Sequence, residues 1–387
     1  MSVIYVTIAG WLLLAVVSAV LARHLRTSAA LLEICVGALA AWVIDSQFGP
    51  GTMGGHEPGL QLLASIGAVL LTFLAGAELD PRTMRTKFRE VTVVGLVGFL
   101  GPFVGCAFVC RYWLGWDLRA SLLGGIALST TSMAVVYAVM LETGFNRTGF
   151  GKGVLGSCFV NDLGTVIALG LLFAPFSWRT AVFAAGTAGV LSLMPWATSR
   201  LTGLYGHRTA AIRSKWIILV LTGLGGLAFW AGTEAVLPAY LVGMVLAGSA
   251  GRDEAFIRRF RTLTIGFLAP FYFLRAGSLV SLPALAVAPL ALLALLAGKV
   301  ASKILGLYPV IGVFWRRRNE RWYYTLMMST GLTFGTISSL YGLSHGIVTR
   351  TQYSLLVAAV IGSAVIPTLI AGYVFFPRHL LPGRGRP

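Results

Sequence analysis

The sequence predicts an all-α polytopic membrane protein of about thirteen transmembrane helices. Three observations carry that expectation. The 387 residues are 57% hydrophobic and only 11% charged, with a mean hydropathy of +0.83, whereas soluble domains carry about 25% charged and 45–50% apolar residues. The apolar residues gather in blocks, all but one of 18 residues or more, the length needed to cross a hydrocarbon layer. The basic residues behind the net charge of +17 fall in short loops between those blocks, so the charge reads as membrane topology and not as a nucleic-acid surface.

The blocks run, in order, over 3–22, 29–46, 60–78, 91–110, 120–141, 153–174, 180–198, 214–233, 236–250, 263–283, 286–311, 322–343 and 352–376. The first lacks a basic start and is followed by many more, so it reads as a span and not as a cleaved signal. The ninth is short and reads as a tilted or partly buried helix. Several hold Gly or Pro, which membrane helices tolerate where neighbours satisfy the freed backbone groups. Cys35, Cys106, Cys110 and Cys158 all lie inside blocks, with neither disulfide-frame nor zinc spacing. No hydrophilic stretch is long enough for a soluble regulatory domain. GFGKG at 149–153 lacks the spacing of a phosphate loop.

The loop charges test the count. With the N-terminus outside, the odd-numbered loops and the C-terminus hold 23 of the 30 basic residues, counting Lys215 at the very edge of block 214–233, and the opposite side holds four: Arg111, Arg119, Arg179 and Arg350. Arg275, Lys299 and Lys303 lie within blocks. That bias fits the excess of Lys and Arg in cytoplasmic loops, and one span more or fewer in mid-chain would scramble it.

Polar groups at membrane depth mark where chemistry is expected. Asp162 sits near the middle of 153–174, preceded by Asn161, and an isolated charge there costs about 3 kcal/mol or more. It is either half of a polar pair locking helices together or part of an ion site. Lys299 and Lys303 lie one turn apart on one face of 286–311. Lys299 is the one expected to snorkel to an interface, and Lys303 to meet a carboxylate or the carbonyl ends of an interrupted helix. Block 120–141 centres on Ser129, Thr130, Thr131 and Ser132; block 322–343 carries Ser329, Thr330, Gly331, Thr333, Gly335 and Thr336. Such clusters are either packing residues or unwound backbone whose half-helix ends face a substrate. The order repeats: if the fourth to sixth blocks correspond to the eleventh to thirteenth, the offset of seven spans inverts the second copy. Inverted-topology repeats with two interrupted, crossing helices are an architecture of secondary transporters.

Several runs are similar to motifs of one family: LLEICVGALAAWVIDSQFGPG (31–51), LLTFLAGAELDP (70–81), GGIALSTTSMAVV (124–136), FLAPFYFLRAGSLV (267–280) and the run beginning at Lys303-Ile-Leu-Gly. In their order and spacing the chain resembles the monovalent cation:proton antiporter superfamily, nearest its second branch, with the NapA-like sodium/proton exchangers and the membrane domain of Kef systems. The resemblance covers nearly the whole chain from about residue 30.

The resemblance implies that Asp162 binds cation and proton in turn, with Asn161, Thr130, Thr131 and Ser132 lining the site and Asp162 and Thr131 touching the metal ion. Lys303, Ser157, Thr330 and Gly331 would support the crossing. It implies one transmembrane antiporter domain, with a core bundle over 91–174 and 286–376 and dimer or scaffold helices over 29–78 and 180–283. Two departures matter. Electrogenic members carry Asp-Asp where this chain has Asn161-Asp162, which favours one proton per cation. Arg275 stands where the family is usually small or apolar, and would pair with Glu78 or Asp162 or snorkel.

The function expected is a secondary antiporter exchanging Na⁺, K⁺ or Li⁺ for protons, Na⁺ foremost, in the inner membrane, with the C-terminus cytoplasmic. It would work as a homodimer, without a cofactor beyond the transported ions and without nucleic acid. The alternatives are a K⁺ efflux channel or Kef-type gated transporter, and a sodium-coupled solute symporter. An enzyme is not expected: the histidines at 24, 56, 207, 345 and 379 lie in loops or near block ends, with no nucleophile and base together at depth.

Overall fold

The computed structural model describes residues 2–380 apart from 26–27, 50, 56, 78–84, 146–147, 174–176, 206–210, 234 and 249–253. Among the described residues every regular element is helical: α1 Ser2–Leu25, α2 Ala29–Phe48, α3 Pro58–Ala77, α4 Phe88–Phe108, α5 Leu118–Ser129, α6 Met133–Thr143, α7 Gly149–Phe173, α8 Trp178–Tyr205, α9 Ile212–Trp230, α10 Val236–Leu246, α11 Glu254–Leu263, α12 Ala269–Ser278, α13 Leu282–Val287, α14 Pro289–Phe314, α15 Arg318–Met328, α16 Thr333–Ser344 and α17 Arg350–Val374. Two five-residue π-helical stretches, Val109–Trp113 and Thr264–Leu268, follow α4 and precede α12.

Nine of these helical stretches are long and apolar enough to cross a membrane. They occupy nine of the thirteen hydrophobic blocks. The other four hold shorter pieces: α5 and α6 share one block, α10 fills the short ninth, the second π stretch and α12 fill the tenth, and α15 and α16 share the twelfth. Among the described residues the thirteen blocks thus hold nine long helical stretches and four shorter or composite ones, two of these broken in the middle. Helix starts follow local chemistry. Ser28 accepts from Leu31 N at the start of α2, and Asp117 accepts from Arg119 N and Ala120 N at the start of α5. Thr349 and Gln352 form a reciprocal capping box on α17.

The chain divides into two compact units. The first comprises Met1–Ile4, His56–Pro81 and Val166–Tyr272, so it holds α3, the end of α7 and α8 to α11. Its core gathers Phe73, Leu74, Phe183, Ile217, Leu221, Leu224, Val242 and Phe260. Here α3 and α10 meet backbone to backbone: a Cβ on Gly76 would strike the Tyr240 carbonyl oxygen, and one on Gly243 the Phe73 carbonyl oxygen. Small residues permit that approach, which supplies dispersion contact where lipid offers no hydrophobic drive.

The second unit comprises Tyr5–Gly55, Arg82–Thr165 and Phe273–Pro387. Within it an unbroken helix, a broken helix and an unbroken helix occur in that order twice: α4, α5–α6, α7 (as far as Thr165) and α14, α15–α16, α17. One end of the bundle is packed by aromatic rings, with Phe150 against Trp315 at 4.9 Å and Phe376 stacked on Phe145 at 5.4 Å. The two breaks lie within this unit and meet each other.

Candidate functional site

The first break is short. α5 ends at Ser129, Thr130 is extended (φ −62°, ψ 152°), and α6 resumes at Met133. The second runs from Ser329 to Leu332 between α15 and α16. An interrupted helix leaves carbonyls at one half-end and N–H groups at the other without helical partners, and here the breaks satisfy each other. Ser132 N donates to Thr330 O at 3.0 Å, and Thr131 Oγ1 donates to Met328 O, the carbonyl end of α15, at 2.8 Å. Ser132 also accepts from Val135 N at 3.3 Å, which caps the second half-helix.

The other hydroxyls at the breaks spend their protons on nearby carbonyls. Ser129 donates to Ile126 O at 2.8 Å, Thr130 to Ala127 O at 3.0 Å, Ser329 to Thr325 O at 2.8 Å and Thr330 to Met327 O at 2.8 Å. A hydroxyl whose hydrogen is committed presents only lone pairs to its remaining neighbours. The hydroxyls of Ser129, Thr130, Ser329 and Thr330 therefore turn lone pairs toward their other neighbours, and oxygen ligands are what hard cations prefer.

Asp162 and Asn161 stand on α7. Both are fully buried. Asn161 Nδ2 donates to Ser129 O at 3.3 Å, tying α7 to the carbonyl end of α5, while its Oδ1 has no hydrogen-bond partner. Among the described residues neither carboxylate oxygen of Asp162 has a hydrogen-bond partner. A buried carboxylate with two unused oxygens is costly unless a proton or a cation sits on it.

Lys303 on α14 is fully buried, and its Nζ donates to Thr131 Oγ1 at 3.0 Å. Thr131 is thus a relay, accepting from the ammonium and donating to the α15 carbonyl. The expectation that Lys303 meets the carbonyl end of an interrupted helix is met through that hydroxyl. The expectation that Lys299 snorkels is not. Lys299 is fully buried, and its Nζ, which has no hydrogen-bond partner, lies where a Cβ on Gly331 would be. The reason is geometric: one turn before Lys303 on the same face of α14, Lys299 is carried into the crossing, and the missing side chain at Gly331 leaves it room.

Ser157, one turn before Asn161, bonds Tyr324 OH on α15 at 2.8 Å. Cys158 donates to Met328 Sδ at 3.5 Å. Arg275 lies away from the crossing, its Nε donating to Gly55 O at 3.0 Å. Since Asp162 has no hydrogen-bond partner, Arg275 does not bond it; Glu78, the other partner expected for Arg275, lies outside the described residues. Hydrogen bonds link Lys303 to Thr131, Ser132 to Thr330 and Asn161 to Ser129 across the breaks, Gly331 lies beside Thr130, Asp162 follows Asn161 on α7, and Ser157 stands one turn before Asn161. Sequence reasoning missed Tyr324, the Met328 carbonyl and Ser363, whose Oγ would stand 3.2 Å from a Cβ on Gly331. A carbonyl has no sequence signal, and a tyrosine in an apolar run looks like packing.

Comparison with known proteins places this geometry. The profile of the family described as "Sodium/hydrogen exchanger, transmembrane" matches residues 12–377. The chain is similar to the probable Na(+)/H(+) antiporter 3 of Methanocaldococcus jannaschii, at 24% identity over 82% of this chain and 84% of the relative. It is also similar, at 26% identity over 71% of this chain, to the glutathione-regulated potassium-efflux system protein KefC of Salmonella typhimurium, of which the match spans only 46%. The solved structure of the sodium proton antiporter MjNhaP1 from M. jannaschii superposes with a TM-score of 0.70 at 16% identity, covering 97% of this chain and 98% of that one, so the fold is shared. The chain belongs to the transmembrane sodium/hydrogen exchanger family, and it is a transporter, not an enzyme.

Proposed function

We propose that Asp162 is the group on which proton and cation compete, and that exchange follows from that competition. The observation carrying this reading is a fully buried carboxylate with two unused oxygens, beside hydroxyls whose hydrogens are already committed. Ionised Asp162 is neutralised by Na⁺, K⁺ or Li⁺, with Thr131, Thr130, Ser132 and Asn161 Oδ1 as neighbouring oxygens; otherwise it holds a proton. Only the neutralised site crosses between inward- and outward-facing states, because moving the bare charge carries the full intramembrane cost. Each cation is thus exchanged for a proton, and one carboxylate beside Asn161 favours electroneutral exchange with Na⁺ as the main substrate. No cofactor is required beyond the transported ions.

The same reading treats α4–α7 and α14–α17 as inverted copies forming the core bundle over 91–174 and 286–376, with scaffold helices over 29–78 and 180–283 supporting a homodimer. The 23-to-4 loop-charge bias supports an inner-membrane protein with its N-terminus outside and C-terminus cytoplasmic. The channel, Kef-type and symporter alternatives are not favoured, since the family is one of sodium/hydrogen exchangers.

The test is a proteoliposome assay with a pH-sensitive dye, adding Na⁺, K⁺ or Li⁺ to wild type and Asp162→Asn. Wild type should move protons on cation addition, with the half-saturating cation concentration rising as pH falls. Asp162→Asn should abolish the signal for every cation. Antiport that survives this substitution refutes the reading, and a membrane-potential clamp that alters the rate refutes electroneutrality.

A further inference from the structure

Tyr324 and Ser157 are both fully buried, and their hydroxyls are 2.8 Å apart. Their positions relative to the ion site are parallel. Tyr324 lies four residues before Met328 on α15, and Ser157 four residues before Asn161 on α7, so each stands one helical turn below a residue of the crossing. One turn above the hydroxyl pair, α15 ends at the Met328 carbonyl that Thr131 holds, and α7 presents Asn161 and Asp162. The hydroxyl bond and the Cys158–Met328 contact are the side-chain ties between these two turns.

Either hydroxyl can be the donor in this bond. On neighbouring α4, Glu90 receives Lys87 Nζ at its Oε2 and Trp315 Nε1 at its Oε1, each at 2.9 Å, which ties the start of α4 to the Trp315 turn.

We propose that the Ser157–Tyr324 bond is a positioning element for the ion site, setting the separation between the carbonyl end of α15 and the Asp162 turn of α7, and hence the cation affinity. It rests on the assignment of Asp162 as the exchange site. Loosening the bond displaces oxygen ligands from the cation but leaves the carboxylate able to take a proton, so the cation loses ground to the proton.

The experiment uses full-length protein in proteoliposomes and compares Tyr324→Phe, Ser157→Ala and the double variant with wild type, with Asp162→Asn as control. Each single substitution should raise the KM for Na⁺ about 2- to 12-fold with kcat largely kept, the range of one neutral hydrogen bond. The acid limb of the pH profile should move upward by up to about one unit, since tenfold in relative affinity corresponds to one pH unit. The double variant should be no worse than the worse single, because both remove one bond. An unchanged KM in Tyr324→Phe overturns the proposal, as does a fall in kcat with KM and pH profile unmoved, which marks a purely structural role. Additive single effects overturn it as well. Survival of exchange in Asp162→Asn overturns the underlying site assignment instead, so the two failures are told apart.

Discussion

Thr131→Val is the most direct probe of the crossing, because valine matches threonine in shape and removes only the oxygen. In the native site that oxygen accepts from Lys303 Nζ at 3.0 Å and donates to Met328 O at 2.8 Å. Valine leaves a fully buried ammonium without its acceptor and a half-helix carbonyl without its donor. A hydrogen bond to a charged group contributes about 1.5–3 kcal/mol. The freed ammonium has one good alternative, the Asp162 carboxylate, whose two oxygens have no hydrogen-bond partner among the described residues. A cation arriving at Asp162 must then displace an ammonium that was previously held by Thr131. Converted at 1.4 kcal/mol per tenfold, the KM for Na⁺ should rise roughly 10- to 150-fold. The assay is dye-reported proton movement over a Na⁺ titration in proteoliposomes, with Thr131→Ser, which keeps the oxygen, expected near wild type. A Thr131→Val KM within twofold of wild type, or a Thr131→Ser variant as impaired as valine, refutes the relay.

Two further outcomes follow from the same geometry. Gly331→Ala places a methyl group on the Lys299 ammonium, and 3.2 Å from Ser363 Oγ and Thr130 Oγ1; overpacking of about 1–3 kcal/mol should slow exchange roughly 5- to 150-fold. Adding Lys299→Ala in the same chain should recover part of the rate, and no recovery in transport measurements counts against the clash. Lys303→Ala should keep exchange at reduced efficiency. Ionised Asp162 loses a favourable neighbour, so the acid limb of activity should shift to higher pH, read from rate against pH at fixed Na⁺.

The legibility of the site in sequence varied with the kind of interaction. Asp162, Asn161 and Lys303 were readable singly, because a charge or strong dipole inside an apolar block has few innocent explanations. The Ser129–Ser132 and Ser329–Thr336 clusters marked both breaks, since hydroxyls and glycines gathered at mid-block disrupt a uniform helix. Lys299 was misread because snorkelling and burial look alike in one dimension. Only the empty side of Gly331 decides between them, and it comes from another helix. The bond from Trp315 Nε1 to Glu90 joins residues 225 apart and has no signal along the chain.

Composition and block pattern were enough to show a bundle of membrane helices, a one-sided bias of the loop charges and an acid in mid-block at Asp162. Those are consequences of transfer free energy, which depends on each residue's own chemistry and its distance from the block ends. It took the packing of helices to reveal that Lys303 reaches Thr131 across 172 residues of chain, that Thr131 passes the contact to the end of α15, and that Asp162 has both oxygens unused among the described residues. Hydrogen-bond partnership is set to within a few tenths of an ångström by helix crossing, and no run of residues along one strand of chain encodes it.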